Sequence, residues 1–230
     1  MCFYCFDTLI EALEKQERTA AGRKGRRHVE VFAPDLPHAA VECPLFVTWD
    51  KSTAPTSAHP RWQLRGCIGT LGPRRVVDAI GDYALIAALK DKRFQPIQLS
   101  ELAFLRVAVS LLVNYEPCED AYDWTVGVHG IMIDFVVDGR TYSATYLPEV
   151  AKEQGWTIPQ AVESLIQKAG YRGKVSKELL RSIRCTRYQS SKCRVTFNEY
   201  LTEYCNGEDP FQPGTMSTEE RSKLSACKQM

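Results

Sequence analysis

The sequence predicts an α+β fold with a largely antiparallel sheet, flanking helices, and two lobes with a cleft between them. Three observations lead there, although the lobes and cleft have a separate warrant given below. Several short apolar segments read as strands that return by hairpins. Stretches with helical period lie between them without the strict βαβ alternation of a parallel sheet. The chain has 230 residues, 44% hydrophobic and 25% charged, enough for one medium domain or two small lobes with a real core.

The first helix is predicted over Met1 to Lys15, where Cys2, Phe6, Leu9, Ile10 and Leu13 recur with helical spacing. Cys2 and Cys5 match C-x-x-C, but no second pair stands at zinc-ribbon spacing, and residues three apart on a helix share a face. They read as core. Arg18 to Cys43 has no sustained period and reads as a long variable loop with a basic run at Arg23 to Arg27. Pro44 to Trp49 and Trp62 to Thr70 read as strands paired antiparallel. Pro73 then suits the first turn of a helix running to about Asp91. A buried strand is expected from Phe104 to Asn114. Ile131 to Val137 and Arg140 to Tyr146 flank Asp138-Gly139, a type I′ turn signal, and form the firmest local expectation. Helices follow at Pro148, at Ile158 to Ala169 and at Ser176 to Ile183. Cys185 to Arg194 is a strand or loop and Val195 to Cys205 a helix or strand. Residues 206–230 lose all periodicity and read as a disordered tail.

The charge balance excludes a global field. Lys plus Arg number 29 against 28 for Asp plus Glu, so nothing steers the whole molecule toward nucleic acid or anionic membrane. No apolar run approaches membrane-spanning length and no secretion signal precedes the nine cysteines. The expectation is a cytoplasmic or nuclear protein with reduced thiols. Phosphate loop, dinucleotide fingerprint, H-E-x-x-H and serine elbow are all absent, so no cofactor or metal is predicted.

The most informative stretch is Leu64-Arg65-Gly66-Cys67-Ile68-Gly69-Thr70. Strand alternation places Arg65 and Cys67 on one face, where a guanidinium would favour thiolate. Gly66 and Gly69 let backbone or ligand approach closely. This run resembles the signature of the AMMECR family. MCFYCFD at Met1, ALKDKRF at Ala88, VGVHGI at Val126 and TYLPEVAKEQGW at Thr145 are similar to that family in the same order, so the resemblance covers about residues 1–205. It implies two lobes with a cleft, and association with Memo-like and radical-SAM proteins in prokaryotes. It implies no reaction.

The candidate site follows from these residues. Cys67 is a candidate nucleophile with His129 as its base; a buried cysteine and a hydrogen-bonded turn histidine are the bland alternatives. Arg65, Gly66, Gly69, Asp91, Arg93 and Glu149 are candidate ligand-binding residues, with Arg65 expected to meet a carboxylate or phosphate and its internal pairing with Asp91 or Glu149 the bland alternative. Two readings are carried forward: a cleft that binds or modifies a small anionic ligand, with enzyme activity left open, and a non-enzymatic module that binds a protein segment or, more weakly supported, nucleic acid.

Overall fold

The computed structural model describes residues 1–20, 41–53 and 60–205. The basic run and the expected tail lie outside the described residues. The chain divides into two compact units, Met1–Ser110 with the chain from Lys192 onward, and Leu111–Ser191. Six strands form one sheet in the order β2-β1-β3-β6-β4-β5. They are β1 Glu42–Ser52, β2 Trp62–Arg75, β3 Leu105–Pro117, β4 Gly130–Val137, β5 Arg140–Tyr146 and β6 Arg184–Thr196. The pairs β1–β2, β4–β5 and β4–β6 are antiparallel, and the fold is α+β as expected.

In the first unit, β1 shows why the sheet has two unlike faces. Cys43, Leu45, Val47 and Trp49 are buried, while the intervening Pro44, Phe46, Thr48 and Asp50 are half-buried. The buried set faces helices α1, Cys2–Ala20, and α2, Val76–Leu89. Trp49 fixes this: its indole N–H donates to the Ala84 carbonyl at 3.0 Å and its ring meets Phe6 of α1 edge-on at 5.2 Å. On α1, Cys2 and Cys5 are indeed buried with Phe6, Leu9 and Leu13. The helix runs five residues beyond the expected Lys15. Phe6 also contacts Tyr200 at 5.2 Å, and the Tyr200 hydroxyl donates to Asp7 at 2.8 Å, which seats the last helical turns, Phe197–Glu199 and the π-helical Tyr200–Tyr204, on α1.

One expected boundary is wrong. Pro73 lies within β2, which runs to Arg75 in register with Glu42, and α2 begins only at Val76. A proline is tolerated there because, among the described residues, β2 has a strand neighbour on one side only. Arg74 and Arg75 are thus strand residues, Arg75 pairs with Asp78 at 3.4 Å, and the Val76 N–H donates to the Val41 carbonyl.

In the second unit, the β4–β5 hairpin turns at Asp138 and Gly139, with φ of 50° and 75°, as the type I′ signal requires. The buried residues Ile131, Ile133 and Phe135 of β4 pack with Ala161, Val162, Leu165 and Ile166 of α4, Ile158–Lys168. Helices α3, Pro148–Glu153, and α5, Lys177–Ser182, complete it. Ser176 caps α5 by accepting from the Leu179 N–H.

Candidate functional site

The candidate residues form two separate constructions in the first unit, one around Arg65 and one around Cys67. The register explains the separation. Trp49 pairs with Gly66 and Asp50 with Leu64, so Arg65 is the extra residue of a bulge. Period-two alternation cannot be carried across it.

Arg65 is turned to its own protein. Its Nε and Nη2 donate to the two carboxylate oxygens of Glu101, each at 3.0 Å, a bidentate pair in which both side chains are largely buried. Nη1 donates to the Gln95 carbonyl at 2.6 Å and Nη2 also to that of Pro96 at 3.3 Å. Glu101 in turn accepts from Lys51 at 2.8 Å and from the Gln98 N–H at 2.9 Å. Burial pushes the Glu101 carboxyl up, but Arg65, Lys51 and Gln98 outweigh it and hold it down at about 2. A protein carboxylate thus occupies the fork expected to meet an external anion, and it is Glu101 rather than the Asp91 or Glu149 of the bland alternative. Asp91 is spent on Cys67 and Arg93, and Glu149 stands in the first turn of α3 in the second unit. Glu101 was missed because only chain folding relates positions 36 apart.

The construction around Cys67 begins with Asp91, buried just past the end of α2. Its Oδ2 accepts from the Cys67 N–H at 3.0 Å and from Arg93 Nη2 at 2.7 Å, and its Oδ1 from the N–H and Nε of Arg93. Arg93 Nη2 then donates to the Cys67 carbonyl at 3.0 Å. Both main-chain groups of Cys67 are held by one ion pair. The Arg93 guanidinium holds the Asp91 carboxyl far below the usual carboxylate range despite burial.

The Cys67 thiol is half-buried and lies 3.2 Å from Thr48 Oγ1. Burial pushes it up, and the hydrogen bond to Thr48 with the nearby charges of Arg93 and Lys192 offsets this only in part. The cations acting on it are therefore Arg93 and Lys192, and the expected depressed thiol is replaced by a raised one. His129 lies in the second unit, where its Nδ1 accepts from the Thr125 N–H at 3.0 Å and closes its own turn.

Gly66 and Gly69 are close-approach positions, and what approaches is the protein itself. A Cβ on Gly66 would lie 3.0 Å from the Ala87 carbonyl carbon of α2, with the oxygen nearer still. On Gly69 it would run into the Leu45 carbonyl and the Phe46 ring. Among the described residues no group of three or more His, Cys, Asp or Glu is arranged to hold a metal ion, and no helix is long and apolar enough to cross a membrane.

The family model for AMMECR1 matches residues 2–193, from the start of α1 into β6. The chain belongs to the AMMECR1 family. An uncharacterised protein of Arabidopsis thaliana is 43% identical to this AMMECR1-family chain over 204 residues, covering 88% of it and 86% of the plant protein. One of Schizosaccharomyces pombe is 39% identical over 200 residues, with 87% and 93% covered. The crystal structure of an uncharacterised protein from Pyrococcus horikoshii superposes with a TM-score of 0.57 at 24% identity, covering 84% of this chain and 90% of that one. That likeness supports the α+β fold.

Proposed function

We propose that the chain binds a small anionic ligand, a carboxylate or phosphate, on the open face of the first unit around Cys67, Thr48, Arg93 and Lys192. The observation that carries this is the state of Arg93. Its guanidinium is already oriented by Asp91 and the Cys67 carbonyl, yet the side chain is 56% exposed, and among the described residues nothing accepts from Nη1. An anion meeting it finds a donor whose orientational entropy is already spent. Lys192 adds a second positive charge beside the same thiol.

A raised thiol stays protonated at neutral pH and donates a hydrogen bond, which favours binding over thiolate chemistry. Titrating labelled protein with phosphate, sulfate and citrate should shift the amides of Cys67 and Arg93. Lys192→Gln should weaken binding about tenfold, the scale of one charge-assisted contact. Cys67 should alkylate more slowly than free cysteine, and more slowly again with anion present. Fast alkylation at neutral pH would overturn the binding reading in favour of a nucleophile. Salt-sensitive capture of RNA or a protein segment, with no response to small anions, would overturn it in favour of a macromolecular module.

A further inference from the structure

We propose that Cys2 and Cys193 form a dithiol redox site, which a hydroperoxide oxidises to an intramolecular disulfide. Cys2 is in the first turn of α1 and Cys193 near the end of β6, 191 positions apart, and their sulfurs lie 3.1 Å from each other. The two members are unlike in the way such a site needs. Cys193 is exposed and Cys2 is 4% exposed. The hydrogen bond between the two sulfurs holds the Cys193 thiol down and raises that of Cys2. An accessible sulfur with thiolate character attacks, and a shielded neighbour in contact resolves.

The chemistry balances with the hydroperoxide as the only co-reactant. The Cys193 thiolate attacks the terminal peroxide oxygen; the S–O bond forms as the O–O bond breaks, and the leaving alkoxide or hydroxide takes a proton and departs as alcohol or water. Sulfur has lost two electrons and is a sulfenic acid. The Cys2 sulfur then attacks it; the S–S bond forms, the S–O bond breaks, and hydroxide leaves as water with the Cys2 proton. A small rotation of the two side chains suffices, since the sulfurs already touch.

The other cysteines do not share this arrangement. The eight in the described residues are free thiols. Cys5, one helical turn along from Cys2, is fully buried, and burial pushes its thiol up to about 12. Cys118, just past the end of β3, and Cys185 of β6 are neighbours, but burial raises both, so neither supplies a thiolate. The bond would tie α1 to β6, the strand that leads into the last helical turns.

The test uses the full chain, reduced and then exposed to hydrogen peroxide at increasing ratio. Peptide mapping without reductant should find a Cys2–Cys193 cross-link in monomeric protein, with the loss of two titratable thiols and a melting temperature raised by on the order of 5 °C. In Cys2→Ser, or Cys2→Ala should the serine fold poorly, Cys193 should stop at a sulfenic acid that dimedone traps. In Cys193→Ser, Cys2 should remain a thiol. A link elsewhere, between Cys118 and Cys185 or between molecules, overturns the proposal. So does oxidation of Cys193 beyond sulfenic acid while the Cys2 thiol survives.

Discussion

Replacing Gly66 by alanine tests why the strand carries a glycine there. The added Cβ would lie 3.0 Å from the Ala87 carbonyl carbon and closer to its oxygen, both backbone atoms in the last turn of α2. Ordinary contact begins near 3.4 Å. Helix α2 must then withdraw from β2 by about 1 Å, across a contact where Ala84, Ala87 and Ala88 are buried, and overpacking of this kind costs about 1–3 kcal/mol. With no side-chain terminus able to swing aside, the upper end applies. For a chain of this size about 3 kcal/mol lowers the melting temperature by roughly 6–12 °C. The control is Gly72→Ala in the same strand, where the new Cβ would meet only Thr70 Oγ1, at 3.6 Å. Urea denaturation of both variants gives the comparison, with equal slopes showing that the denatured states are alike. Equal stabilities within about 0.5 kcal/mol would refute the packing argument and return Gly66 to a ligand.

Two further outcomes follow from the same unit. Arg65→Lys keeps the charge but loses the fork on Glu101 and the bonds to the Gln95 and Pro96 carbonyls, so stability should fall by about 2 kcal/mol; an unchanged urea midpoint would show that the fork is not structural. Asp91 and Glu101 both have folded pKa values below their unfolded ones, so the stability they contribute is complete above about pH 4.5 and is lost as pH falls, through about 2 for Glu101. Glu101→Gln should flatten that part of the acid-denaturation curve; a variant curve parallel to the wild type would remove Glu101 from the account.

The fold class was readable because its signals are local. Asp138-Gly139 specifies its turn by two residues, and β1 announces its buried face by alternation. The boundary at Pro73 was misread for an equally physical reason: proline fits a helix start and an outer strand alike, and only the position of β2 in the sheet decides. At the candidate site, Arg65, Gly66, Cys67, Asp91 and Arg93 stand out in the sequence by residue type and spacing, and the backbone of Ala87 does approach Gly66 closely. Their partners were not readable. The carboxylate that holds Arg65 comes from a turn after the next helix, and the bulge at Arg65 breaks the alternation on which its pairing with Cys67 was based. Cys193 gave no signal, since its relation to Cys2 exists only after the chain has closed on itself.

The Asp91–Arg93 pair has a consequence for association. Among the described residues β2 is an outermost strand, 14 residues long, with Leu64 and Leu71 each about two-fifths exposed, the kind of rim on which foreign chains nucleate ordered stacking. Midway along it, the N–H and carbonyl of Cys67 are already occupied by side chains of the same molecule. A strand arriving from outside would find its hydrogen-bond ladder broken at that rung and would have to displace a buried carboxylate to continue. The pair thus works as a stopper against templated aggregation, and it leaves the surface beside it available only to molecules recognised through side chains.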